Sequence, residues 1–581
     1  MPAPRPPAHV TTAGADPGRR SGVLALLASG QFLMTLDSSV MNVSIQSVAN
    51  DLHTTVTGIQ TAITLYTLVM AATMITGGKI GAIVGRRRAF GVGLVIYGSG
   101  SFVTAIAPNL TVLIIGWSLL EGLGAALIMP AIVALVAGNV PREGRAAAYG
   151  MIAAASAIAV AAGPLIGGAV TTFASWRWVF LGEVVVVLVI LAFLRTVTDT
   201  PPEERRPFDG FGALLSVVGL SLTVLGVLQS GSWGWVRPKG DTPALAGVSL
   251  TFWLILGGLL VLWALLEWEG HRERTGAEPL FAPSMFANRQ LTGGLVLFNL
   301  QFLIQAGVFF TIPLFLSVVL GLNALQTGLR LLPLSIALLV SALAVPRLWP
   351  TASPRRVTRV GLASMLAGTL VLVGGLSPGA GAEIVLVPMA LIGLGIGALA
   401  SQLGAVTVSS FPDEMSAEIG GLQNTATNLG ASLGTALVGS VLIATLTTTF
   451  LAGVQGNPAV PASVSSQASV TLEAGIPFVS DAALTEHLAT TSLSPAAQEA
   501  VVAENTAARL TGLRAALALV AVVAVLALFL ARLLPTEPVA ATARRDDEPD
   551  GAGDAPDGAS DAPDGASDAP SSRPPADGAA G

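Results

Sequence analysis

Runs of about 20 apolar residues recur from one end of this chain to the other, each long enough to cross a bilayer's hydrocarbon core. Fourteen can be read, at about 23–45, 56–80, 89–107, 110–137, 146–172, 177–196, 211–230, 248–268, 291–317, 326–346, 357–376, 382–410, 420–446 and 513–534. Composition agrees: 52% of residues are hydrophobic and 11% charged, against roughly 25% charged in soluble domains. Spans of this length predict an all-α polytopic membrane protein. The polar, Pro-rich first 22 residues have no cleavable leader, so the span after them reads as the first anchor.

Arginine placement orients the spans. With a cytoplasmic N-terminus, the inner loops collect Arg86, Arg87, Arg88, Arg142, Arg145, Arg205, Arg206, Arg272, Arg274, Arg289, Arg347, Arg355, Arg356 and Arg359. The outer side keeps Arg177, Arg237, Lys239, Arg509 and Arg514. An even span count then puts both termini in the cytoplasm of a cell inner membrane. Two regions stand outside the spans. Residues 447–512 form a long outer loop of mixed helical and extended character. The tail, 535–581, ends in an acidic "DAPDGASDAPDGASDAP" repeat that cannot bury a core and should be disordered. Cysteine is absent, and His9, His53, His271 and His487 share no metal-ligand spacing. There is no Walker A sequence. No cofactor, no metal, no nucleic-acid partner and no enzyme activity are therefore expected.

Five short patterns follow one another along the spans. "LDSSVMNVSIQ" lies at 36–46, "GGKIGAIVGRRR" at 77–88 and "EGLGAALIMP" at 121–130. "AAGPLIGGA" lies at 161–169, and "GLQNTATNLGASLGTALVGSV" at 421–441. Glycines permit tight turns and close helix contact, and Arg86, Arg87 and Arg88 can grip carboxylates or helix C-termini. In order and spacing the set resembles the fourteen-helix drug:proton antiporter family of the major facilitator superfamily, over about residues 20–535. The resemblance implies two six-helix bundles (23–196 and 291–534) flanking two inserted helices (197–290), with a short N-terminal tail, 1–22. It also implies alternating access about midplane sites by a monomer in the lipid bilayer. Gly78, Gly85, Arg86, Arg87, Arg88, Gly163, Pro164, Gly167 and Gly168 are then the conformational-motif positions. Two departures stand out. The loop signature has Ala82 and Ile83 where the family usually has an aspartate and an arginine. The fourth-helix motif has Ser118 and Glu121 where an arginine and a glutamine are usual.

Acids at depth are the chemistry-bearing residues. At 1.5 Å per residue, Asp37 lies about 21 Å from the inner face and Glu121 about 16 Å from the outer face. Glu183 sits in the outer third of the sixth span. An acid inside a membrane is costly unless used, so Asp37, Glu121 and Glu183 are the expected proton-coupling residues. The structural alternatives are bonds from Asp37 to Ser38, Ser39 or Asn42, a neutral hydrogen-bonded Glu121, and a Glu183–Arg177 ion pair. The C-terminal half offers amides and aromatics for a broad substrate cavity: Asn299, Gln301, Gln305 and Phe302, with Gln423, Asn424 and Asn428. The expectation is a proton-coupled exporter of hydrophobic, in some cases cationic, small molecules such as drugs, dyes or an endogenous antibiotic. The alternatives are an exporter of lipids, siderophores or other metabolites, and a non-transporting sensor of the same fold.

Overall fold

The computed structural model describes residues 17–140, 142–199, 208–239, 242–349, 351–411, 415–461, 481–489 and 493–537. The N-terminal tail before Pro17, residues 462–480 of the outer loop and the tail from 538 onward lie outside the described residues, as do Arg205 and Arg206.

Fourteen long helices carry the described chain. The first six are α1 (Pro17–Asp51), α2 (Val56–Val84), α3 (Arg86–Ala105), α4 (Leu110–Asn139), α5 (Arg142–Phe173) and α6 (Arg177–Phe193). Then come α7 (Gly210–Trp233) and α8 (Leu250–Arg274). The last six are α9 (Arg289–Leu314), α10 (Ala324–Leu348), α11 (Pro354–Gly375), α12 (Leu386–Val408), α13 (Ser416–Gly456) and α14 (Pro495–Leu530). Thirteen of them are long and apolar enough to cross a membrane. The remaining one, α3, starts on Arg86–Arg87–Arg88 and carries several glycines and serines, which dilute its apolar character.

Polar residues at the loop boundaries start the helices. Thr55, Asn109, Asn288, Ser353 and Ser494 each accept a hydrogen bond from a first-turn N–H, and Asn323 forms a reciprocal box with Gln326. The described part of the outer loop is helical: α13 runs on to Gly456, a short helix spans Asp481–Ala489, and α14 starts at Pro495. Among its described residues the loop forms no strand, and Asn457 and Ser494 at the helix borders are extended.

In the first half α1 packs on α5, α3 on α4 and α6, and α2 on α4. In the second half α10 and α11 pack on α12, and α9 and α14 on α13. The closest contacts between the halves are α2 with α13 and α5 with α10. The pair α7–α8 leans on α2 and α13 through α7, and Ser440 of α13 bonds the carbonyls of Val227 and Leu228.

Candidate functional site

The three predicted acids come together. Carboxylate oxygens of Asp37 (α1), Glu121 (α4) and Glu183 (α6) all lie within 4.8 Å of one another. Each residue is 1% exposed or less. Small residues let the helices approach: Gly100 of α3 faces the carbonyl of Gly116 of α4, where a Cβ would lie 2.6 Å from that oxygen. The α4 backbone widens into a π-helical turn over Ile114–Glu121, a local irregularity common at functional sites.

Neutral donors surround the cluster. The Trp117 indole N–H donates to both oxygens of Asp37, 2.9 Å from each. The Thr104 hydroxyl lies 3.2 Å from Glu121 Oε1. Tyr97 and Ser101 hydroxyls reach Glu183 Oε2 at 3.2 and 3.1 Å. Glu121 Oε2 and Glu183 Oε1 are buried without a partner. Tyr66 stacks on Trp117 with ring centroids 4.9 Å apart. No ion pair involves any of the three acids among the described residues.

Magnitudes decide what such a cluster does. Two full charges about 5 Å apart repel by roughly 3–4 kcal/mol even at an effective dielectric of 20. A hydrogen bond to a charged group returns about 1.5–3 kcal/mol, less than the repulsion each carboxylate would meet from its two neighbours. The three carboxylates cannot all be ionised together, so the cluster retains at least one proton.

The structural alternatives named for Asp37 and Glu183 are not what the described residues adopt, whereas Glu121 does meet the Thr104 hydroxyl. Ser39 and Asn42 bond the carbonyls of Thr35 and Ser38 within α1. Arg177 pairs with Asp51, bonds the carbonyl of Ala107 and lies over the Trp176 ring. Ser118, at the position of the family's arginine, donates to the carbonyl of Ala62 at 2.7 Å and ties α4 to α2.

The glycine motif of α5 serves two partners on two stripes. Gly163 and Gly167, four residues apart, face Ser39 and Val40 of α1, and a Cβ at Gly167 would lie 2.7 Å from Val40 Cγ1. Pro164 and Gly168 face the second half. A Cβ at Gly168 would lie 2.5 Å from the carbonyl oxygen of Ala324, and Gly328 of α10 comes against the carbonyl of Pro164. In the α2–α3 turn, Gly85 has φ +107°, a region that favours glycine. Gly78 touches Pro130, and its carbonyl accepts from Arg86 at 2.8 Å. Asp199, from the segment after α6, accepts the Arg87 backbone N–H at 2.9 Å, and the Arg87 guanidinium reaches the carbonyl of Val197. Asp199 thus puts a carboxylate at the start of α3, in the turn where Ala82 replaces the family's aspartate. Arg88 is exposed.

The amides of the second half mostly serve helix packing. Asn299 donates to the carbonyl of Ala426, Gln423 accepts from Thr407, and Asn428 donates to the carbonyl of Asn424. Gln301 is buried and Gln305 half-buried, each with an unpartnered Oε1. Phe302 and Phe309 are half-buried; Phe298 and Phe310 are in the core. An apolar crevice where the halves meet is lined by Ser39, Asn42, Val43, Pro164, Phe309, Pro313, Leu331, Leu334 and Ser335. At about 100° per residue, Ser39, Asn42 and Val43 lie on the opposite side of α1 from Asp37. Sequence reading missed Trp117, Tyr66, Tyr97, Ser101 and Thr104. An indole four residues before a buried glutamate, on the same helical face, was the available signal for Trp117.

Comparison with known proteins agrees with this architecture. The family model "Major Facilitator Superfamily" matches residues 27–435. The chain is 31% identical to the puromycin resistance protein pur8 of Streptomyces alboniger, over 74% of this chain and 82% of the relative. It is 31% identical to the MFS-type transporter EfpA of Mycobacterium tuberculosis, over 78% and 85%. It is 28% identical to the tetracenomycin C resistance and export protein of Streptomyces glaucescens, over 75% and 78%. Among solved structures, a bacterial homolog of the human lysosomal transporter Spinster, inward-facing and occupied, aligns with a TM-score of 0.56 at 14% identity. That alignment covers 90% of this chain and 98% of the other; the peptide transporter PepTSo aligns at 0.55 and 14%, covering 92% and 99%. This multi-pass membrane protein belongs to the Major Facilitator Superfamily.

Proposed function

We propose that this chain is a proton-coupled efflux transporter that exports hydrophobic small molecules, among them drugs or an antibiotic, across the bacterial inner membrane. The observation that carries the reading is the buried cluster of Asp37, Glu121 and Glu183, which has no cationic partner among the described residues and has two bare oxygens. Relatives named for puromycin resistance and for tetracenomycin C resistance and export support the direction and class of cargo. In this reading the N-terminus is cytoplasmic, as the arginine bias requires, and the monomer is the working unit.

The packing supports a route from proton to cargo. Asp37 lies on one side of α1; Ser39, Asn42 and Val43 line the crevice on the other. Gly163 keys α5 onto Ser39 on that crevice side, and Pro164 and Gly168 key α5 onto α10. Loading or releasing a proton changes the charge that α1 must bury. It thereby biases α1 against α5, and α5 against the opposite half. The crevice presents hydroxyl, amide and apolar surface, which suits a hydrophobic cargo. Two-state rocking at the α5–α10 and α2–α13 contacts completes alternating access.

The test is uptake of a fluorescent hydrophobic dye into liposomes holding the purified protein, driven by an imposed pH gradient. Asp37→Asn and Glu121→Gln are expected to abolish gradient-driven uptake while folding is retained. A sodium gradient of equal size is expected to drive nothing. Wild-type uptake that ignores the pH gradient would sink the proposal.

A further inference from the structure

Trp117 is 1% exposed and its N–H lies 2.9 Å from both Asp37 oxygens. Tyr66 holds the ring in place by near-parallel stacking, with an interplanar angle of 11°. An indole can only donate. A donor shared by both oxygens suits a carboxylate, in which both accept, better than a carboxylic acid, in which one oxygen carries the proton. The two glutamates differ: each keeps one buried oxygen with no donor at all.

We propose that Trp117 is the positioning residue of the proton site, holding Asp37 in the ionised form so that the retained protons reside on Glu121 and Glu183. The inference rests on the proton-coupled reading above. The groups facing Asp37 are Tyr66 of α2, Tyr97 of α3, Glu121 of α4 and Glu183 of α6. The α5 helix meets α1 through the hydroxyls of Ser156 and Thr171. Arg289 of α9 and Arg330 and Arg347 of α10, helices that also touch α1, make no ion pair with the cluster. With no cation in reach among the described residues, neutral donors weigh which acid is charged. The indole, 2.9 Å from both Asp37 oxygens, sits nearer than the hydroxyls at 3.1 and 3.2 Å from the glutamates. Hydrogen bonding to a charged form favours that form.

The experiment reads Trp117 itself. Emission of the purified protein in detergent, wild type minus Trp117→Phe, is followed between about pH 5 and 9, the range in which a shared buried proton is exchanged. The expected difference spectrum changes with pH, and Asp37→Asn abolishes the change. In liposomes, Trp117→Phe keeps the ring but loses the N–H, so Asp37 holds its proton to higher pH. The pH midpoint of gradient-driven uptake then moves up by about one unit, a tenfold change in proton concentration. A difference spectrum that is flat with pH, or that Asp37→Asn leaves unchanged, overturns the proposal; so does a wild-type pH midpoint in Trp117→Phe. Should Trp117→Phe fail to fold, wild type against Asp37→Asn carries the emission test alone. Because emission needs no transport, a titrating indole in a protein that ignores the pH gradient would sink proton coupling and leave the positioning role standing.

Discussion

The two halves of the molecule bury charge in opposite ways. The first half gathers three acids, Asp37, Glu121 and Glu183, meets them with neutral hydroxyls and one indole, and leaves two oxygens bare. The second half buries Arg509 of α14, fully enclosed, and meets its charge with a carboxylate, although its Nε makes no hydrogen bond among the described residues. Arg509 pairs with Asp481 of the short helix, donates to the carbonyl of Val318 at the end of α9, and reaches Thr506. Asp481 is further held by Asn505 and Thr506. Charge that meets an opposite charge fixes structure, here the outer-loop helix against α14. Charge left unmatched has a transition still to make, and the lesson is that pairing, more than burial, separates a latch from a proton carrier.

Substitutions at the unmatched acids test that distinction most directly. Glu121→Gln is expected to lower gradient-driven transport by about a hundredfold, as loss of an essential proton carrier does. Its thermal unfolding temperature should stay close to that of wild type, because a neutral amide replaces a protonated carboxyl of the same shape. A large loss of stability with transport per folded molecule retained would place Glu121 with Arg509 among the structural charges.

Next in size is the crossing through which the halves meet. Gly168→Val pushes a branched side chain onto the carbonyl of Ala324. Overpacking a tight contact costs about 1–3 kcal/mol, enough to skew a two-state equilibrium by roughly tenfold or more. Transport should fall by about that factor, while the emission signature of the acid cluster in the first half persists. Loss of both together would mean that the cluster's geometry depends on the second half.

Asp481→Ala breaks the matched pair. Removing one partner of a fully buried pair costs about 3–5 kcal/mol. Asp481 keeps 38% of its side chain exposed, so water can partly replace it, and about 2 kcal/mol is the expected loss. Thermal unfolding in detergent measures it, and transport by the folded fraction should survive. Transport abolished without destabilisation would make the outer-loop helix a moving part instead of a latch.

How far all this could be read from residues alone follows from the same physics. Helix number and order were legible because each apolar run reports its own length, and Asn288, Asn323 and Ser353 mark helix starts locally. Depth arithmetic put Asp37 and Glu121 at mid-membrane level. It could not show that α1, α4 and α6 bring three carboxylates together, because that depends on which faces pack. The partner of Trp117 was illegible for the same reason: its N–H meets Asp37, 80 residues away in sequence. The amides of α9 and α13 read as cavity groups, whereas Asn299 and Gln423 bond across helix contacts, a choice that composition does not encode. The turn at Gly85 kept its predicted shape, yet the carboxylate at the start of α3 came from Asp199, over a hundred residues on.

The smallest effect belongs to a pair that is matched but wet. Lys79 of α2 lies 3.3 Å from Glu278 in the segment after α8, and their side chains are 27% and 24% exposed. Arg272 donates to the Glu278 backbone carbonyl at 2.7 Å, and its own charge meets Asp209 at 3.1 Å, so this corner keeps its fold when Lys79 is removed. A partly hydrated pair is worth about 0–1 kcal/mol and weakens with salt. Lys79→Ala should therefore lower stability by about 0.5 kcal/mol, with a difference that shrinks as ionic strength rises. Transport should stay within about twofold of wild type, since half a kilocalorie moves an equilibrium little further than that. A tenfold loss of transport with stability intact would show that a matched charge can also be a moving one, and pairing would no longer separate the two halves.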